Sequence, residues 1–420
     1  MSIYNVKTKY VQGPTATILV VLLFCPPLLS YLEAFVSIIT SQIILYVLVF
    51  VMMFYYIIRR SYRFTTLDHF WLLVYIYLIF LFFRLFSDYL STGQGNFLYK
   101  TPATVLFFFL FPIFFPALFF SRVRFRIDTV LISWVLVGIL TICLTVSLIS
   151  IMSGNVAMTI DGRFDSGFGV FSIEYGHFGT SLVLICLSLI KHYSCRLKTL
   201  IFFTPIIAIG VVSIALSGSR GPFMALMICL CTWFINTHKL RTSVLTIIII
   251  IIASALLKDL LYALNDMLEN NGITSFNRIL DSVFAEDGIE KHTSGRDKLY
   301  EIGLARFLDS PFFGCSLFIP GKIYVHNIVI EQFMALGIVG GTLFLTFNII
   351  AFIRTFKIFR KDREYTPICL LFIQYFVFGC LSCTIISLPI YWLMLFLISN
   401  HWNTDIKNKL ECLNVSSCAF

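Results

Sequence analysis

Twelve apolar stretches follow one another along the chain, at roughly positions 15–32, 35–58, 67–87, 103–120, 127–150, 170–190, 199–216, 221–236, 243–262, 327–353, 366–384 and 386–400. A helix needs about 20 apolar residues to cross the hydrocarbon of a bilayer. The pattern therefore predicts about 12 transmembrane helices. Open sheets leave backbone groups unpaired in lipid, so the expected fold class is an all-α polytopic membrane protein. The polar intervals are short with one exception, the 68 residues from Lys258 to Val325, which end where hydrophobicity resumes at His326-Asn327. The chain thus divides into residues 1–257 with helices 1–9 and short loops, residues 258–325 as one long loop, and residues 326–420 with helices 10–12 and a C-terminal tail. Inside the loop, Ser294 with Asp297 resembles a capping box, and Leu299, Ile302, Leu304, Phe307 and Leu308 recur at helical spacing. These residues predict a surface helix near 295–308 with one buried face, stopped by Asp309-Ser310-Pro311.

Composition agrees with a membrane protein: 59% of residues are hydrophobic and only 13% charged, with 45 Phe, where soluble domains have roughly 45–50% and 25%. Lys and Arg alternate from one set of loops to the other. Twenty fall on one side, from Lys7 and Lys9 through the Arg354-to-Arg363 cluster to Lys407 and Lys409; ten fall on the other, and Arg84 lies within a span. Basic short loops stay cytoplasmic, so both termini are expected inside the cell and the long loop outside. The formal charge of +9 is then a topology signal. Spread over short loops, it makes no patch for nucleic acid. The first apolar stretch has no small-residue cleavage signature and is expected to be a retained span. Of the 12 cysteines only Cys315 falls in an outward loop, which excludes an intramolecular disulfide framework there. Cys380-Leu-Ser-Cys383 has redox or metal spacing, but inside a span with no second pair it reads as small packing residues.

The candidate chemistry lies at outward ends. Arg84 and Asp88, four apart in a span, are expected to pair; the pairing is structural or, being intramembrane, functional. Asp161-Gly162-Arg163-Phe164 sets a cation among glycines, a usable anion contact or a solvated turn. Ser217-Gly218-Ser219-Arg220-Gly221-Pro222 puts Pro222 in a first helical turn with Ser219 as its cap, and Arg220 at the N-terminus. The helix dipole already presents positive charge there, so Arg220 makes sense if it binds an anion, either a substrate or a lipid phosphate. Arg296 repeats that placement in the surface helix, with Arg278, Arg306 and Lys322 as further cations of the loop. His326 opens the tenth span beside Asn327, and the helix terminus and nearby guanidinium groups push its imidazole towards the neutral, proton-accepting form. An interfacial anchor is the alternative. Glu331, an acid inside the span, needs a partner: it orients His326 or pairs with an arginine.

Together these residues resemble the O-antigen polymerase and O-antigen ligase superfamily of bacterial inner-membrane glycosyltransferases. Leu216-Ser-Gly-Ser-Arg220-Gly is similar to that family's Ser-Arg-Gly turn. Ser294-Gly-Arg296 through Ser310-Pro311-Phe-Phe-Gly314 is similar to its Gly-Arg, helix, Pro and Gly block. Tyr324-Val-His326-Asn327, with Glu331 and Leu336-Gly337-Ile-Val-Gly340, is similar to its His-Asn block, and the Arg163 loop precedes them in family order. The likeness covers about residues 160–345. It departs in one respect: eleven residues beyond Arg163, Arg278, Arg296 and Arg306 there is no glycine, where some polymerases have one. The resemblance implies a donor glycan on undecaprenyl diphosphate gripped by Arg163, Arg278 and other arginines, with Asn327 and Glu331 also at the substrate. It implies His326 as general base, and Arg220 and Arg296 stabilising the departing diphosphate. No Asp-x-Asp occurs in the chain, so no metal and no cofactor is expected. The expected partners are lipid-linked glycan donor and acceptor, membrane lipids, a chain-length regulator and a flippase. Compact spacing from Pro311 to His326 is more similar to polymerases than to ligases; a flippase of lipid-linked oligosaccharide is the rival from another class.

Overall fold

A computed structural model describes residues 14–24, 38–59, 68–92, 102–123, 127–156, 164, 171–194, 196–237, 262, 266, 280, 296–319 and 324–403. Among these residues every extended regular element is helical. The first five helices are α1 (Pro14–Phe24), α2 (Ile38–Arg59), α3 (His69–Thr92), α4 (Pro102–Phe109) and α5 (Phe115–Arg122). There follow α6 (Thr129–Met152), α7 (Ser172–His192), α8 (Leu197–Leu216) and α9 (Arg220–Thr237). The last four are α10 (Arg296–Asp309), α11 (Ile328–Lys361), α12 (Thr366–Ser382) and α13 (Pro389–His401). Helices α4 and α5 run on through a π-helical turn, Leu110–Phe114. Pro112 lies in that turn and has no N–H to give the helical ladder, which accounts for the local widening.

Ten of the twelve expected stretches coincide with these helices; 15–32 does so only as far as Phe24, beyond which it lies outside the described residues, and 243–262 lies almost wholly outside them. Seven segments among the described residues are long and apolar enough to cross a membrane. They are His69–Leu90, Thr104–Arg122, Thr129–Met152, Ser172–His192, Leu197–Leu216, Ile328–Lys361 and Arg363–Ser382. The described residues are thus those of a helical, polytopic membrane protein. Of the expected span 386–400, the stretch Pro389–His401 is α13, with 13 residues. Its side chains from Ile390 to His401 are all buried, so it is an internal element. Hydropathy does not distinguish a helix solvated by lipid from one solvated by protein.

Helices α7 and α12 form much of the interior, whereas α6 and α8 expose most of their surface. Gly179 and Gly210 bring α7 and α8 together so closely that a Cβ on Gly179 would stand 2.6 Å from the Gly210 carbonyl oxygen. At one end of the bundle Arg354 binds Asp68 at 2.6 Å. The opposite end holds the starts of α7, α9 and α11, and there α10 lies against α11.

The packing of α10 differs in part from the sequence expectation. Leu299, Tyr300 and Ile302 pack on Ile319, Val325, Met334 and Ile330, and Phe307 meets Phe333 edge-on at 5.6 Å. Leu304 and Leu308, expected on the same face, are exposed. The contact is centred on Gly303, where an added Cβ would approach Ile330 and Val325 to 3.0–3.1 Å, and the two leucines fall on the far flank of the helix. Ser294, the expected capping residue, lies outside the described residues, and α10 ends at Asp309 before Pro311 as expected.

Two backbone segments clasp each other behind α10. Helix α11 breaks at Gly337, whose φ of 64° and ψ of −163° suit glycine alone. Into the break runs 310–317: Cys315 N–H donates to Met334 O at 2.9 Å and Ile338 N–H to Pro311 O at 2.7 Å. Arg84 holds the same loop from α3, donating to the carbonyls of Cys315 at 2.5 Å, Phe313 at 2.6 Å and Gly314 at 3.1 Å. Asp88 accepts from Leu317 N–H at 2.9 Å. The expected Arg84–Asp88 pair exists at 4.0 Å, and its main work is to anchor this loop.

Candidate functional site

Each candidate side chain is placed by a helix terminus. Helix α9 begins at Arg220, where the dipole makes a cation unfavourable unless an anion is near, and Arg296 is the first described residue of α10. The turn before Arg220 is tightly packed. Ser219 N–H donates to Ser217 Oγ at 3.3 Å, Gly218 adopts φ 56°, and Thr180 of α7 donates to Pro222 O at 3.1 Å. Phe164 N–H donates to Leu216 O at 3.3 Å, just before this turn. Arg163 itself and Arg278 lie outside the described residues.

His326 sits in the bend before α11 with φ 61°, a left-handed backbone uncommon outside glycine. The next residue explains the bend: Asn327 caps α11, its side-chain oxygen accepting from Val329 N–H at 2.9 Å and Ile330 N–H at 3.1 Å. The His326 ring lies 4.2 Å from that of Tyr324. Its Nδ1 is 3.4 Å from the Ser382 carbonyl oxygen. A carbonyl only accepts, so Nδ1 carries the proton and Nε2 is left as the basic nitrogen. Burial, and then the positive charge of Arg296, hold the imidazole below the usual histidine range, with the Ser382 carbonyl acting the other way. The neutral form expected from the sequence is therefore the favoured one.

The end of α12 gathers these groups. Arg296 donates to Leu381 O at 2.5 Å and to Ser382 Oγ at 3.3 Å. Tyr324 OH donates to Ser382 O at 3.3 Å. One short backbone segment between the cysteines of the Cys380–Cys383 motif thus supports Arg296, Tyr324 and His326. Neither thiol is in a disulfide, in keeping with their reading as packing residues. The Tyr324 phenol is pushed above its usual range by burial first, then by the charges of Cys383, Glu174 and Glu331, against Arg296.

Glu331 has other partners than those the sequence offered. Its Oε1 accepts from Gln332 Nε2 at 3.0 Å and from Ile385 N–H at 3.0 Å, and Gln332 accepts in turn from Tyr77 at 2.7 Å. Among the described residues it therefore braces the turn after α12 against α11, and pairs with neither His326 nor an arginine. Sequence reasoning passed over Glu174 and His177, in the first two turns of α7. With Thr180 and Ser181 they form a polar stripe at helical spacing inside an apolar span, and that stripe was the signal available.

Removing the Arg296 charge should release His326. Arg296→Gln is expected to raise the imidazole pKa and Arg296→Lys to leave it low, read from histidine ring resonances over a pH titration of the solubilised protein. The sign carries over to stability: a lowered imidazole penalises the fold as pH falls below the ordinary histidine value of about 6.5. Arg296→Gln should therefore be less sensitive to that acid range than the native chain.

The helical bundle thus carries Arg220 and Arg296 at the described starts of α9 and α10, and His326 just before α11, at one end. Residues 205–345 match the family described as O-Antigen ligase, which sets this part of the chain in the O-antigen polymerase and ligase superfamily. The matched stretch contains Arg220, Arg296, His326, Asn327 and Glu331. Comparison with curated proteins and with solved structures finds no match.

Proposed function

We propose that this chain is an O-antigen polymerase, a glycosyltransferase joining undecaprenyl-diphosphate-linked repeat units at the periplasmic face of a bacterial inner membrane. The observation that carries this reading is the His326 site, a half-buried imidazole whose Nδ1 faces a carbonyl, with Arg296 beside it and α9 opening on Arg220 at the same end of the bundle. His326 Nε2 takes the proton of the acceptor hydroxyl. The new bond forms between that oxygen and the anomeric carbon of the donor, and the bond from that carbon to the diphosphate breaks. Arg220 and Arg296 take up the charge that develops on the leaving diphosphate, through charged hydrogen bonds from planar guanidinium groups. Arg163 and Arg278 extend the grip on the donor, and Asn327 and Glu331 hold the end of α11 that carries the base. Arginines thus fill the part a divalent metal has in other glycosyltransferases. A chain-length regulator and a flippase are the further partners of this reading.

Transfer of finished polymer to lipid A core is the second reading, supported by the description of the matched family. The products in cells lacking the chain separate the readings. Core capped with a single repeat unit is expected for a polymerase. Uncapped core with accumulated lipid-linked polymer would make the chain a ligase, and lipid-linked units held on the cytoplasmic face would make it a flippase.

A further inference from the structure

Helix α10 and the loop after it end in an apolar patch that no described residue covers. Leu308 of α10 is 72% exposed, and Phe312 and Phe313 in the loop are 67% and 66% exposed. The backbone of the same loop is fully engaged. Every carbonyl from Pro311 to Cys315 accepts a hydrogen bond: Pro311 O from Ile338 N–H at 2.7 Å, Phe312 O from Val339 N–H at 3.5 Å, and the carbonyls of Phe313, Gly314 and Cys315 from Arg84. A loop in water has no need of such pairing, because solvent supplies it. Irregular backbone at the depth of the hydrocarbon persists only where protein groups satisfy it.

Two helices give the depth of this loop. The Arg354–Asp68 ion pair joins α11 to the residue before α3 at the opposite end of the bundle, and Lys357, Arg360 and Lys361 follow Arg354, so the pair marks the membrane boundary there. At 1.5 Å per residue, Arg84 stands about 24 Å along α3 from Asp68, and Ile338 about 24 Å along α11 from Arg354. Both fall about 6 Å short of the ~30 Å hydrocarbon thickness. Both also hold the loop, so two independent helices place its tip at one depth inside the opposite leaflet. Asp88, which accepts from Leu317 N–H, stands about 30 Å along α3, at the boundary itself. Phe83 and Leu90 of α3, next in the chain to Arg84 and two residues beyond Asp88, are exposed as well, so the patch continues the outer surface of a span. We propose that Leu308, Phe312 and Phe313 are seated among the acyl chains of the leaflet at the His326 end, the loop after α10 dipping into the bilayer. The occupant of the patch is bilayer lipid. Helix α10 is then fixed to the membrane at one end and, through Arg296, to Leu381 and Ser382 at the other.

The test needs no turnover and is independent of the reaction assigned above. Phe313→Trp adds one tryptophan to the five native ones, and its emission is read as the difference from the native protein, both as full-length chain in liposomes of phosphatidylethanolamine and phosphatidylglycerol. Lipids brominated along the acyl chain are expected to remove most of the added emission, and iodide in the buffer to remove little of it. Leu308→Trp serves as the probe if Phe313→Trp does not insert, with the same expectation. Added emission that iodide quenches and brominated lipid spares would overturn the proposal and put the loop in water. Emission spared by both would overturn it too, and would assign the patch to a protein partner or a second copy of the chain.

Discussion

His326→Ala is expected to lower polymer formation by roughly 10²–10⁴-fold while the protein stays inserted and abundant. The size follows from what alanine removes: the only group in the proposed mechanism able to take the acceptor proton. Abundance follows from the local structure. Nδ1 makes one long contact, 3.4 Å to Ser382 O, whereas the cap that starts α11 belongs to Asn327. His326→Ala thus deletes the base and leaves the helix start intact, although the left-handed backbone at φ 61° disfavours alanine slightly. His326→Asn tolerates that backbone better and should be as inactive, which separates lost base from strained turn. Long-chain polysaccharide on gels, normalised to membrane-inserted protein, checks both variants; near-normal chains in either would remove His326 from the chemistry.

Gly337→Ala is expected to cost the fold roughly 2–6 kcal/mol, the sum of a glycine-only backbone conformation and an overlap with backbone that cannot move aside. A Cβ there would stand 2.3 Å from Phe312 O and 2.4 Å from Phe312 C. The same clasp viewed from its other strand gives the same answer: a Cβ on Gly314, at φ 73°, would stand 2.3 Å from Ala335 C. Loss of the clasp detaches the end of α10 from α11, and α10 carries Arg296. Both substitutions should lower folded yield and thermal stability in detergent. Gly138→Ala, in α6 with nothing within 4 Å of its Cβ, is the control, and should be neutral or mildly stabilising because glycine weakens a helix interior. A Gly337→Ala protein as stable as the control would contradict the clasp.

Much of the scaffold could be read from the chain because lipid imposes length and polarity on every span. The helix at 296–309, Arg220 as a first helical residue and the neutral tendency of His326 were legible for the same reason: caps, prolines and dipoles act over a few neighbouring residues. Less legible were contacts made by backbone. The Leu381 and Ser382 carbonyls that hold Arg296, Tyr324 and His326 carry no residue signature, and the Cys380–Cys383 motif around them drew attention to the wrong atoms. Burial of α13 was hidden because a buried helix and a lipid-facing one are equally apolar. Glu331 was legible as an acid needing partners, but its choice of Gln332 and Ile385 depends on how α12 returns against α11. Glu174 and His177 were visible as polar residues inside a span, but their neighbours depend on how α7 packs against α12.

The most direct test is reconstitution of the purified full-length chain in liposomes with purified undecaprenyl-diphosphate-linked repeat units and no other protein. The native chain should yield a ladder of diphosphate-linked polymers and release undecaprenyl diphosphate, and His326→Ala should leave the units unjoined. Units that remain unjoined with the native chain, but are transferred once lipid A core is supplied, would contradict the polymerase reading.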